Sequence, residues 1–325
     1  MADALSDVLR VVRLFGGVFL HADFTEPWCL ISQVKPDDCG SLLPDVEHII
    51  LYHYVVDGRM VLQIGDGPAV EIGAREAVIL PRNDVHRMGS DLGLKPVDSH
   101  EIIRPSADGG LAEIHLGGGG ARTRIVCGFL GCRNVTENPL LSALPPVLRL
   151  DTREGSAAEW IRVSFEFAAD EIAAGRAGSD TVLAKLSELL FVEAVRRHID
   201  ALPAEQTGWL AGLRDPFVAR TLAIIHGRLS EPWTVDHMAR EVGLSRSALA
   251  DRFTRLVGEP PMHYLARWRL QVAAQRLSTS HDPLTRIAFE TGYESEAAFN
   301  RAFKRLFGAP PVTWRKRCEY TTAAA

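Results

Sequence analysis

The chain lacks most of what would place it in a special class. No run approaches the roughly 18 uninterrupted apolar residues that a membrane-spanning helix needs, so no membrane contact is expected. The opening MADALSDVLRVVRLF carries Asp3, Asp7, Arg10 and Arg13 among its apolar residues, which is not the pattern of a secretory signal. Cysteine is scarce. Five in 325 residues, an odd number, exclude a disulfide framework and point to a reducing cytoplasm. A large excess of one charge is lacking too: 36 Lys+Arg stand against 41 Asp+Glu, 24% of the chain is charged and the formal net charge is -5. With 46% hydrophobic residues this is an average globular composition, and the length allows about two domains. Averaged over the chain, the mild acidity argues against a nucleic-acid partner.

The average conceals an asymmetry. From Leu213 to Cys318 there are 17 Lys+Arg against 10 Asp+Glu, a net charge of +7, while the rest of the chain holds 19 against 31, a net of -12. A basic segment joined to an acidic one suits a chain of which one half meets a polyanion. Two domains of unrelated surface charge would give the same imbalance.

Residues 1–20 read as a short helix followed by a turn at Gly16-Gly17. From about 18 to 130, runs such as WCLISQV, HIILYHYVVDG, RMVLQIGDG, EAVILPRNDVHRM and RTRIVCGFLGC are bounded by Gly, Pro and Asp, which predicts antiparallel strands. The run Gly117–Gly120 reads as a flexible loop. From Leu140 to about Asp200 the pattern turns helical; in TVLAKLSELLFVEAVRRHI the apolar residues fall mostly three and four apart. DALPAEQTGWLAG, with its Pro and Gly, reads as a linker, and everything from Asp215 onward as helices with tight turns.

The last hundred or so residues contain a repeat. At an offset of 50, Ser245 matches Ser295, Ala248 matches Ala298, Leu249 falls on Phe299, and Phe253 matches Phe303. Arg255, Leu256, Gly258 and Pro260-Pro261 match Arg305, Leu306, Gly308 and Pro310-Pro311. Upstream the offset is 49: Ala239 with Ala288, Glu241 with Glu290, Gly243 with Gly292. Each copy reads as helix, turn, helix. A small Ala lets two helices cross, a Gly makes the turn, a Ser caps the next helix, and a Gly followed by a Pro pair ends it. HYLARWRLQVAAQRLSTS reads as a long helix joining the copies.

Residues from about 215 to 317 resemble the DNA-binding domain of the AraC/XylS family of bacterial transcription regulators. The resemblance rests on Leu277, Ile287-Ala288, Gly292-Tyr293, Ser295, Phe299, Phe303-Lys304, Phe307-Gly308, Pro310-Pro311 and Arg315. It implies seven helices and two recognition helices, which would enter successive major grooves about 34 Å apart. On that analogy Arg246, Ser247, Ala250 and Asp251 face base edges in the first copy, and Glu296, Ala297, Asn300 and Arg301 in the second. Arg246 and Arg301 suit guanine, and Asn300 suits adenine. Ser245, Arg255, Ser295, Lys304 and Arg305 are expected at phosphates, which set register without reading sequence. Asp251 departs from the family's pattern, since it would repel phosphate and suits only a donor such as cytosine N4.

In the front half, Pro81-Arg82-Asn83-Asp84-Val85-His86 resembles the second cupin motif, with Asn83 in place of its usual glycine. VVDG at 55–58 resembles the end of the first motif. Together with Cys127-Gly128 and LSALPP at 142–146, these imply a cupin-like barrel of the type found in AraC-family sensor halves. A cupin enzyme presents two His and a carboxylate from the first motif and one later His; here Leu51 stands where the Glu belongs. Alternation puts Glu47, Leu51 and His53 on one face of the strand and His48 on the other. That leaves His53 and His86 as inward ligands, with Cys127, His100 or Glu47 as candidate thirds, a set that suits zinc or another divalent metal. A rival signal is redox. Cys127 and Cys132 flank GFLG, and Cys29 and Cys39 are a further pair; a strand arrangement bringing either within bonding distance would permit oxidation.

The expected fold class is α+β and multidomain. A cupin-like antiparallel β-barrel (residues 1–150) precedes a helical dimerisation segment and linker (151–212) and an all-α domain with two helix-turn-helix motifs (213–325). The expected function is a sequence-specific DNA-binding transcription regulator answering to a small molecule, a metal or a redox signal. It is expected to be no enzyme, to require no cofactor, and to be cytoplasmic and nucleoid-associated. The expected partners are double-stranded promoter or operator DNA, a second copy in a homodimer, an unknown small effector and, for an activator, RNA polymerase. The competing classes are a cupin enzyme with an appended helical domain, and a helical protein-binding adaptor.

Overall fold

The computed structural model describes residues 3–12, 14–35, 46–104, 112–132, 138–153, 159–161, 163–164, 167 and 178–323. The chain forms two compact units. One comprises Leu14–Cys132 and Leu144–His198, and the other Met1–Arg13, Arg133–Ala143 and Ile199–Ala325. These units cut across the division 1–150, 151–212 and 213–325, because two short helices, Ala4–Val12 and Pro139–Ala143, pack into the helical unit.

The first unit is built on strands β1 (Phe15–Thr25), β2 (Cys29–Ser32), β3 (His48–Asp57), β4 (Arg59–Ile64), β5 (Val70–Gly73), β6 (Glu76–Leu80), β7 (His86–Gly89), β8 (Val97–Asp98), β9 (Ala112–Gly117), β10 (Arg122–Cys132) and β11 (Leu148–Asp151). They make a six-stranded sheet in the order β11-β6-β3-β10-β1-β9 and a five-stranded sheet in the order β5-β4-β7-β2-β8. Among the described residues neither sheet closes on itself, so the expected barrel is seen as two open sheets that share one core. The inward side chains of both build one core, with Phe24 stacked on Trp28 at 3.9 Å and Leu51, Met60, Leu62 and Met88 around them. Alternation along β3 holds as expected: Ile49, Leu51 and Val55 enter this core while His48 Nε2–H donates to the Pro81 carbonyl on the other side.

Two expectations about glycine are corrected. Gly16-Gly17 is no turn; it lies within β1, where the pairing with β10 shifts register between Phe15 and Val18. The Gly117–Gly120 run does form a loop beyond the end of β9 at Gly117, but a tethered one rather than a slack one. It packs against the next crossing of the chain: Gly118 N–H donates to the Thr25 carbonyl and Gly120 N–H to that of Glu26. A Cβ on Gly117, whose φ is +149°, would sit 1.9 Å from the Thr25 oxygen, so a side chain cannot be accommodated there.

The helices are α1 (Ala4–Val12), α2 (Ser99–Ile102), α3 (Pro139–Ala143), α4 (Ser179–Ala201), α5 (Trp209–Gly212), α6 (Pro216–Gly227), α7 (Val235–Val242), α8 (Arg246–Val257), α9 (Pro261–Thr279), α10 (Leu284–Glu290), α11 (Glu296–Phe307) and α12 (Pro311–Ala323). From Asp215 onward there are seven, as the resemblance implies. The caps are those read from the repeat. Ser245 Oγ accepts from Ala248 N–H and Ser295 Oγ from Ala298 N–H, both at 3.2 Å, and α8 and α11 stop at Gly258 and Gly308. Leu249 and Phe253 point inward in the first copy, Phe299 and Phe303 in the second, and all four are fully buried. Phe303 lies 5.6 Å from Phe299 and 4.5 Å from Phe307, with Trp314 closing the cluster.

A polar chain also lies inside the helical unit. Trp209 Nε1–H donates to the Tyr264 hydroxyl at 2.9 Å, and that hydroxyl donates to His226 Nε2 at 2.8 Å. The His226 ring stacks on Trp268 at 4.0 Å. Burial pushes the His226 pKa down to about 3.

Two measurements test this packing. Phe299→Ala should destabilise the helical unit by about 3–5 kcal/mol and Ser295→Ala by about 1 kcal/mol in urea unfolding; near-equal effects would contradict the assigned core and cap. The folded His226 pKa lies below the unfolded value, so below about pH 6.5 the unfolded state takes up more protons. Stability should therefore be complete above about pH 6.5 and fall by about 1.4 kcal/mol per unit as pH drops below it. His226→Gln should flatten that slope, and an unchanged slope would count against the buried neutral ring.

Candidate functional site

Helices α8 and α11 present matching outer faces. Arg246, Ser247 and Asp251 are exposed on the first and Ala297 and Arg301 on the second, while Ala250, Glu296 and Asn300 are half-buried. At 100° per residue these positions form a stripe beside the buried Leu249–Phe253 and Phe299–Phe303 faces. The cap residues Ser245 and Ser295 lie at its N-terminal ends, and Arg255, Lys304 and Arg305 are exposed toward its C-terminal ends. Arg301, Lys304 and Arg305 make no ion pair among the described residues, which leaves three cations on one helix for an anionic partner.

The two faces are not equivalent. Arg246 approaches Asp236 at 3.8 Å with both side chains exposed, a weak pairing that leaves the guanidinium available. The Glu296 carboxylate accepts from the Thr285 hydroxyl at 2.5 Å, which ties α11 back to α10. Asn300 turns its side-chain oxygen inward with no partner there. Arg255 lines an open cavity of about 360 Å³ with Pro203–Thr207 and Arg214, so it faces the linker as well as solvent. Arg252 bonds the Asp215 carboxylate at 2.6 Å, and Asp215 also accepts from Phe217 and Val218 N–H as the cap of α6. That brace was missed from sequence; its only signal is that Arg252 falls on Ala302 in the second copy.

The β unit holds the other candidate cluster. His53 and Cys127 are paired across β3 and β10, and His86 opens β7 on the opposite sheet. His53 Nδ1 lies 3.0 Å from Cys127 Sγ, His53 Nε2 lies 3.0 Å from His86 Nε2, and His86 Nδ1 lies 3.0 Å from the Asp84 carbonyl. The carbonyl can only accept, so it fixes the direction of every bond. His86 Nδ1–H donates to it, His53 Nε2–H donates to His86 Nε2, and the Cys127 thiol donates to His53 Nδ1. Burial, then the neighbouring His86, holds the His53 pKa well below its usual value, and burial lowers that of His86. Burial pushes the Cys127 thiol up to about 12.

The three expected metal ligands are thus together but do not converge. Cys127 and His86 sit on opposite nitrogens of one ring, so they cannot share an ion with it. Glu47 is exposed, and His100 bonds Asp98 at 2.8 Å instead. Among the described residues no group of three or more His, Cys, Asp or Glu could hold a metal ion. The donor set therefore does not fit zinc. The redox pairing of Cys127 with Cys132 is also corrected. Both lie on the extended strand β10, five residues apart, which at about 3.3 Å per residue separates their Cα atoms by roughly 16 Å. A disulfide tolerates no more than about 7 Å. Cys39 lies outside the described residues, and Cys29 is a buried thiol whose pKa burial raises.

A cupin family model matches residues 3–200 and a helix-turn-helix domain model matches residues 238–317. The chain is 32% identical to the transcriptional regulator AlkR of Acinetobacter baylyi, over 97% of this chain and 99% of that one. It is also 32% identical to an AraC-like transcription regulator of Streptomyces lividans, over 84% of this chain and 88% of the relative. The chain belongs to the AraC family of transcription regulators. The DNA-binding domain of AdpA, solved with a target DNA, is matched at 27% identity over 32% of this chain and 92% of that one, with a TM-score of 0.30. This AraC-family chain is a DNA-binding transcription regulator with a cupin-type domain, and no helix among its described residues is long and apolar enough to cross a membrane.

The thiol geometry is testable in this regulator. In the native protein at pH 8, Cys127 and Cys132 should resist iodoacetamide while the partly exposed Cys318 is alkylated, as read residue by residue in a mass spectrum. Rapid alkylation of Cys127 before unfolding would contradict the buried, hydrogen-bonded thiol.

Proposed function

We propose that the protein reads two DNA half-sites with α8 and α11 and adjusts that reading to a signal received by its cupin domain. The observation that carries this is the duplication itself: a Ser cap, a buried pair four residues apart and an outward face at matching positions occur on both helices. A helix of this kind enters the major groove with its N-terminal residues against base edges. Arg246 and Arg301 are the principal readers, since a guanidinium bonds guanine O6 and N7 together. Ser247, Ala250, Asp251, Ala297 and Asn300 complete the base-facing set, Asn300 after rotating its amide outward. Glu296 belongs to the set only if it releases Thr285. Ser245, Arg255, Ser295, Lys304 and Arg305 hold phosphates.

The signal is best read as a small, largely apolar molecule. The core between the sheets is a large apolar cluster beside the neutral His53–His86–Cys127 chain, and that chain favours neither a metal, since its donors do not converge, nor fast thiol oxidation. A homodimer is supported by exposed apolar side chains around the connector. Trp160, Val163, Phe167 and Leu189 are each nearly half exposed, as a surface awaiting a second copy would be. RNA polymerase is the further partner if the protein activates. The competing adaptor reading lacks a use for the cationic outer face of α11.

Arg301→Ala should cost about 1–3 kcal/mol on the preferred duplex and little on unrelated DNA in a gel shift. Lys304→Ala should weaken every duplex alike and lower the salt slope by about 1. An equal loss across all sequences for Arg301→Ala would reassign it to phosphate, and salt-independent binding of the wild type would overturn the reading.

A further inference from the structure

Arg269 is a half-buried cation in the middle of α9, the helix shared by both copies. Its Nε–H donates to the Leu229 carbonyl at 2.9 Å and an Nη–H donates to the Glu231 carbonyl at 2.7 Å. Both acceptors lie in the segment between α6 and α7, where the chain enters the first helical pair. On its other side the guanidinium packs against Gly292, in the turn between α10 and α11. A Cβ there would sit 2.5 Å from the guanidinium carbon, whereas a Cβ on Gly243, the matching turn of the first copy, would meet nothing within 4 Å. One planar group therefore touches the approaches to both outward-facing helices. Its donors point in fixed directions. Turning one copy about α9 relative to the other must break its two bonds or drive the turn into it.

We propose that Arg269 sets the phase between α8 and α11, and with it the separation of DNA half-sites that the chain accepts. The inference rests on the reading of both helices as DNA readers. Two linked binding modules gain affinity only where their geometry fits both sites together. A base pair inserted between half-sites moves one by about 3.4 Å and about a tenth of a turn. A held phase makes that insertion costly, and a released phase makes it tolerable.

The test uses the full-length protein and a duplex selected by the wild type from random DNA. Binding is compared on that duplex, on versions with one or two base pairs inserted between the half-sites, and on each half-site alone. The wild type should lose about tenfold or more on a single insertion. Arg269→Gln and Arg269→Lys should lose about tenfold on the selected duplex, show an insertion penalty below about threefold, and bind single half-sites within about twofold of wild type. If both variants fail to fold, Gly292→Ala against Gly243→Ala makes the same comparison from the other side. Both place a side chain at positive φ, but only Gly292→Ala presses on Arg269, so only it should relax the spacing. A folded variant that keeps the wild-type insertion penalty overturns the proposal, as does one whose half-site affinity falls in parallel. A wild type indifferent to spacing overturns the two-helix reading of DNA and this inference with it.

Discussion

Two cores have to be built on one helix, and most of the C-terminal unit follows from that. α9 runs for 19 residues, about 28 Å, and is buried along most of its length. Its first half brings Tyr264 against Phe253, 5.7 Å between rings, and Trp268 against His226. Its second half puts Leu270, Ala273, Ala274 and Leu277 against Phe299 and Phe303. A helix used on several sides cannot itself offer a polar face for recognition. α8 and α11 differ from it: each buries only one narrow strip and leaves the rest outside.

The β unit solves a different problem. It carries two imidazoles and a thiol into an apolar interior, where a charge would be costly. The solution is a directed chain that ends on the Asp84 carbonyl, so that each group is satisfied while neutral. Such a chain is polar enough to orient a ligand. It uses up both nitrogens of His53, which is why the presence of His and Cys side by side does not amount to a metal cage.

Much of the helical unit was legible in the sequence because its signals are local. A capping Ser, a turn Gly and a Pro pair each act within a few residues, and the duplication showed them twice. Alternation likewise placed His53 inside and His48 outside. What failed was anything that depends on distant pairing. Gly16-Gly17 looks like a turn until β10 is seen to pair beside it, and Gly117 looks like slack until the Thr25 carbonyl is seen against it. Closeness of Cys127 and Cys132 in sequence meant separation in space, since a strand is extended. Nor did anything in the chain order announce that α1 and α3 belong with the C-terminal helices, or that Arg252 and Arg269 brace the unit through Asp215 and through backbone carbonyls.

The net charge of -5 joins a basic segment, which carries the helix-turn-helix domain, to an acidic remainder. The most direct test is selection of bound duplexes from a random pool by the full-length protein. Two separate conserved blocks, centred about 10–10.5 base pairs apart so that both fall on one face of the duplex, are the predicted result. A single uninterrupted block, or no enrichment over the starting pool, would contradict the account.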